Sequence, residues 1–137
     1  LFDDVEKVLR NLSSKFRLIL VPKGDLRDQE RKIAKSGLAA YFDHAEVVSD
    51  KTVESYARVL ERSRVPVKQF VMIGNSLKSD ILPVLNLGGH GIHIPYRITW
   101  EHERVESTPH EHDNFYQIES ISQLPDLLDT IAVDSII

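Results

Sequence analysis

Asn75, Ser76 and Asp80 are the residues whose types and spacing best support chemistry. They follow an apolar run, Phe70-Val71-Met72-Ile73, that stops at Gly74. Such a run fits a fully buried strand of a parallel sheet, and the periodic segment after it fits a helix. The polar cluster then sits at a strand's carboxyl end, where strand ends and helix N-termini converge with unpaired N–H groups and ligands bind. Asn75 and Asp80 fall on the loop and the first helical turn, close enough to share one hard cation such as Mg²⁺. Ser76 adds a hydroxyl beside them.

Other polar clusters carry less. His90, His93, His102, His110 and His112 invite a zinc reading, but their spacing matches no tetrahedral ligand template, and a solvated polar loop explains them better. Gly88-Gly89-His90-Gly91 precedes a strand instead of opening a helix, so it lacks the mechanism of a dinucleotide loop.

The elements that must position the first cluster alternate along the chain. Val5, Val8, Leu9 and Leu12 have helical spacing, and Asp3 and Asp4 occupy the first turn, where the helix dipole favours negative charge. Residues 15–21 read as a buried strand broken by Pro22-Lys23-Gly24-Asp25. Asp25 is placed to cap a helix over 26–36, and Gly37 to end it. A strand over 45–49, a helix over 52–62 and a turn at Val65-Pro66-Val67 lead back to the central motif. Pro83 falls in the next helix and Gly88-Gly89 ends it. Residues 91–94 form a strand, and the stretch from Tyr96 to Asn114, which contains Trp100, is too polar for a core element and reads as a surface excursion. A short edge strand over 116–118 precedes a helix capped by Ser120, with Ile121, Leu124, Leu127, Leu128 and Ile131 as its buried stripe. This alternation implies a three-layer α/β/α sandwich with a mainly parallel sheet and right-handed crossovers.

Size and composition bound the partners. The 137 residues suit one domain, residues 1–137, with 42% hydrophobic and 28% charged residues. A net charge of −4, with no basic run, argues against nucleic acid and anionic membrane surfaces. No apolar run is long enough for a membrane span and no signal-peptide layout is present, so a cytoplasmic location is expected. The absence of cysteine excludes disulfides, thiolate metal sites and a cysteine nucleophile.

Three segments resemble the haloacid dehalogenase-like (HAD) hydrolase superfamily, in the order that family expects. Val71 to Asp80 resembles its fourth motif, a hydrophobic strand followed by Gly-Asp/Asn-Ser-x-x-x-Asp. Leu18-Ile19-Leu20-Val21-Pro22-Lys23-Gly24-Asp25 resembles its second motif, and Val47-Val48-Ser49-Asp50-Lys51 its third. The resemblance covers roughly residues 1 to 100 and implies a Rossmannoid core of a Mg²⁺-dependent phosphate-ester hydrolase. A 2-haloacid dehalogenase is the lesser alternative, and a degenerate, non-catalytic domain binding a partner or small anion is the competing class.

Residue by residue, the resemblance assigns Lys51 a catalytic role, neutralising a phosphoryl oxygen and holding a nucleophilic carboxylate ionised. It assigns Lys23, Gly24, Asn75 and Ser76 to substrate binding, and Asn75 and Asp80 to the metal. The family's first motif, an Asp-x-Asp on the central strand, is not found. Asp3-Asp4 is adjacent, not spaced, and opens a helical pattern. Pro22 replaces the hydroxyl residue usual in the second motif and has no N–H to donate. With one carboxylate left, Mg²⁺ is expected to bind weakly or not at all, and the chain alone to be inactive on the small phosphorylated substrate of the intact protein.

Strand order follows from the same resemblance. The second-motif and fourth-motif strands flank the nucleophile strand, so omitting it leaves them about 10 Å apart with facing unpaired edges. Direct pairing of Leu18–Val21 with Val71–Gly74, a strand from another chain through self-association, or an N-terminal segment missing from this chain would resolve that gap.

Overall fold

The computed structural model describes residues 2–95 and 113–131. Its elements in order are α1 (Phe2–Ser13), β1 (Ile19–Leu20), α2 (Leu26–Ser36), β2 (His44–Ala45), α3 (Val53–Ser63), β3 (Val71–Gly74), α4 (Leu82–Leu87), β4 (His90–His93), β5 (Phe115–Gln117) and α5 (Leu124–Ile131). Trp100, His102, His110 and His112 lie outside the described residues.

Local chemistry sets most of the boundaries. The Asp25 carboxylate accepts from the amides of Arg27 and Asp28 at the start of α2, and Gly37 ends that helix at φ 75°. Thr52 and Ser55 cap α3 reciprocally. At its other end Arg64 takes the left-handed conformation, at φ 57°, that glycine would adopt without strain. Pro83 sits in the first turn of α4, where its missing N–H costs nothing. β1 and β2 are shorter than the apolar runs suggest. Pairing continues past them only through the Lys23–Val48 bridge, because Pro22 cannot donate to the ladder.

Every strand pairing among the described residues is parallel. β1 pairs with β2, and β3, β4 and β5 form a second sheet in that order. Side-chain alternation splits the core in two. Val21, Phe70 and Met72 pack with Tyr56, Val59, Leu60 and Val84 of α3 and α4. Leu18, Val71 and Ile92 pack with Val8, Leu12, Leu124 and Leu128 of α1 and α5. The result is the α/β/α layering expected.

β1 and β3 do not pair directly, so direct closure is not how this chain resolves the gap. Between them runs an apolar slot of about 290 Å³, lined by Leu18 to Val21, Phe70 to Ile73, and Leu9, Leu12 and Leu124 from the covering helices.

Candidate functional site

The carboxyl ends of β1 and β3 carry the candidate residues on one edge of the sheet. After Gly74 the chain turns through Asn75 and enters a single π-helical turn, Leu77–Ile81, before α4. Such wide turns allow a side chain to fold back over the strand end. Asp80 does so: its Oδ2 accepts from the Ser76 N–H at 3.2 Å, while Ser76 Oγ caps the turn by accepting from the Ser79 N–H at 3.1 Å. The close approach requires glycine at position 74. A Cβ there would stand 2.6 Å from Cβ and Cγ of Asp80.

Lys51 reaches the same point from the loop before α3. Its Nζ donates to Asp80 Oδ1 at 2.7 Å, with only 17% of the lysine side chain and 7% of the aspartate side chain exposed. Tyr56 on α3 closes the site from below, its hydroxyl donating to the Ser79 carbonyl at 3.2 Å. Burial, followed by the negative charge of Asp80, pushes the Tyr56 phenol well above its ordinary value, so it stays a neutral donor.

Lys51, Ser76 and Asp80 are therefore brought together, with exposed Asn75 at the rim. Lys23 is not part of that contact set. Its exposed ammonium faces the Asp50 carboxylate at 3.4 Å, while Gly24 donates its N–H to the Val48 carbonyl at 3.0 Å. Two further supports escaped the sequence reading. His93, buried at the end of β4, donates from Nε2 to the Asn75 carbonyl at 3.1 Å, and its Nδ1 lies 3.3 Å from the Gln117 side-chain amide. The signal was the period of two in Gly91-Ile92-His93, which puts His93 at the same sheet edge as Asn75. Tyr56 could have been found only from its helical spacing to the cap at Thr52.

A cleft of about 610 Å³ opens over these strand ends, with Asp4, Asn75, Asp80 and Glu119 in its lining. Its charge is mostly negative, which disfavours an anion unless a cation is added. Asn75 and Asp80, the two residues expected at the metal, do not by themselves make a Mg²⁺ site. Both Asp80 oxygens are engaged inward, and among the described residues no group of three His, Cys, Asp or Glu side chains could hold a metal.

A parallel α/β sandwich with a lysine–aspartate pair at the carboxyl edge defines a Rossmannoid, hydrolase-like core. Solved structures give that class a family. A haloacid dehalogenase-like family hydrolase from Xanthomonas campestris superposes with a TM-score of 0.82 at 37% identity, over 96% of this chain and 54% of that one. The HAD-hydrolase YfnB from Bacillus subtilis, bound to magnesium, gives 0.78 at 22% identity, over 93% of this chain and 55% of that one. A HAD phosphatase from Thermococcus onnurineus gives 0.73 at 21%, over 91% and 56%. The chain has the core fold of the haloacid dehalogenase-like hydrolases and is similar in sequence to one of them. It spans about half the length of these solved structures. No family model and no curated protein matches its sequence. Among the described residues, no helix is long and apolar enough to cross a membrane.

Proposed function

We propose that this chain forms the phosphoryl-binding side of a cytoplasmic HAD-like phosphate-ester hydrolase and does not turn over substrate by itself. The observation that carries the reading is the Lys51–Asp80 contact of 2.7 Å beside the Ser76 turn. A half-buried lysine with donor capacity beyond its one aspartate partner can stabilise charge developing on a phosphoryl oxygen. Asn75 and Ser76 line the approach to it, and Lys23 and Gly24 form a more distant loop on the same edge.

The nucleophile has to come from elsewhere. Asp3 and Asp4 stand in α1, and Asp80 is committed to Lys51 and to Ser76. A carboxylate at the upper end of the slot would lie next to Lys51, and a functional Mg²⁺ site would need that carboxylate as well.

The test is an assay of the purified chain with 4-nitrophenyl phosphate and Mg²⁺. Turnover no higher than buffer is expected. Turnover well above buffer that disappears in Asp80→Ala would contradict the reading, since Asp80 would then be part of a complete catalytic set.

A further inference from the structure

Among the described helices α2 is packed unlike the rest. α1, α3, α4 and α5 each bury residues in one of the two cores, whereas α2 buries none, and no residue between Val21 and Val48 is buried. Gln29, Ile33 and Ser36 rest half-buried against the fold, and the other side chains of α2 are exposed. Leu26 is among them, a large apolar side chain at 58% exposure.

The exposed side carries a charge pattern. Arg27, Arg31 and Lys35 recur every four residues, which sets them in one row along the helix with Ala34 beside it. None of the three pairs with a carboxylate among the described residues, although Asp28 and Glu30 stand on the same helix. Like charges four residues apart oppose a helix. A helix shorter than about 12–15 residues is also marginal in water without packing, and α2 has 11. The caps at Asp25 and Gly37 hold its ends, but little packing and no ion pair offsets the repulsion along its length.

We infer that the exposed face of α2 is a docking surface for an acidic helix of a partner protein. Carboxylates at four-residue spacing on that helix meet Arg27, Arg31 and Lys35, and an apolar side chain covers Leu26. Both rows then repeat at about 6 Å, so each cation of the row finds an anion in a single register. The row is a local reversal of sign, with four basic and two acidic residues on α2 in a chain of net charge −4. Because Asp25 caps α2 and Gln29 donates to the Lys23 carbonyl, a partner seated there also steadies the Pro22–Asp25 loop.

Other occupants fit less well. A second copy docking by the same face would set the row against itself, since a two-fold contact uses one patch on both subunits. An anionic bilayer calls for a broad apolar face, and with Ile33 half-buried against the fold only Leu26 and Ala34 are left to form one. A nucleic-acid backbone favours a broad basic surface, which Asp28 and Glu30 interrupt.

This surface is separate from the Lys51–Asp80 contact and its test involves no turnover, so it and the proposed function can fail separately. The full chain is titrated with a labelled helical peptide of about 18 residues, bearing glutamate at every fourth position and one leucine. A second peptide of the same composition has its glutamates scattered around the helix. Fluorescence anisotropy and backbone amide chemical shifts are the readouts. The expected result is saturable binding of one peptide per chain, with shifts centred on residues 26–36 and the scattered peptide at least about tenfold weaker. Arg27→Glu, Arg31→Glu and Lys35→Glu together should also weaken binding at least about tenfold. Lys7→Glu, Arg58→Glu and Lys68→Glu, the same change of net charge at exposed residues elsewhere, should weaken it less than about threefold. Absence of saturable binding, equal binding of the two peptides, equal loss in the two triple variants, or tighter association with phosphatidylserine vesicles or duplex DNA than with the acidic peptide would each overturn the inference.

Discussion

Two loops leave the same edge of the sheet and are built in opposite ways. The turn from Gly74 to Ile81 is fixed from several sides: Asp80 bonds to Lys51 and to the Ser76 N–H, Ser76 caps Ser79, Tyr56 holds the Ser79 carbonyl and His93 the Asn75 carbonyl. The Pro22–Asp25 loop leads into α2, a helix with no buried residue, and its lysine meets Asp50 across an exposed surface. Pre-organisation in this domain is therefore concentrated on the fourth-motif side. A group that must present fixed donors to a reacting centre has to be held by its neighbours. In the Pro22–Asp25 loop the backbone is tied, Gly24 donating to the Val48 carbonyl and Gln29 Nε2 to the Lys23 carbonyl, but the exposed Lys23 side chain is not held in place as Lys51 is.

The difference can be broken by single substitutions. Lys51→Met leaves the Asp80 carboxylate buried without its ion-pair partner, and should cost about 3 kcal/mol or more in urea unfolding. Gly74→Ala drives a methyl group into the Asp80 side chain and should cost about 1–3 kcal/mol, with loss of the Ser76 amide's exchange protection as the local sign. Tyr56→Phe removes one hydrogen bond, worth about 1 kcal/mol at neutral pH. That variant also tests a pH effect. The phenol's folded value lies above its unfolded value of about 10, so its contribution is complete below about pH 10 and declines as pH rises further. The parent should lose stability above pH 10 more steeply than Tyr56→Phe. Lys23→Ala, on the other loop, should change stability by less than about 0.5 kcal/mol.

Residue order alone made the better-built loop visible. Gly74-Asn75-Ser76 with Asp80 follows a strand too apolar to be anything but buried, and the resemblance to the HAD-like family rested on those residues. The helices were legible for the same reason: Asp25, Gly37 and Ser120 are caps whose chemistry is local. What was not legible depends on contacts far apart in sequence. Strand lengths at β1 and β2 were overestimated because apolar runs also pack outside ladders, and pairing is decided by the partner strand. The His93 and Tyr56 supports lie 18 and 23 residues from the groups they bond, and no local pattern encodes that. The orientation of Lys23 towards Asp50 likewise depends on where two loops meet.

The central claim is that the edge holds one tightly coupled charge pair and one that is merely adjacent. Two double-mutant cycles in urea unfolding test it directly, one with Lys51→Met and Asp80→Asn, the other with Lys23→Met and Asp50→Asn. The first pair, which is mostly buried, should show a coupling of about 2 kcal/mol or more. The second, with side chains 56% and 74% exposed, should show less than about 0.5 kcal/mol. Equal couplings in the two cycles would contradict the account, because Asp80 and Lys51 would then be no more fixed than a pair of surface charges.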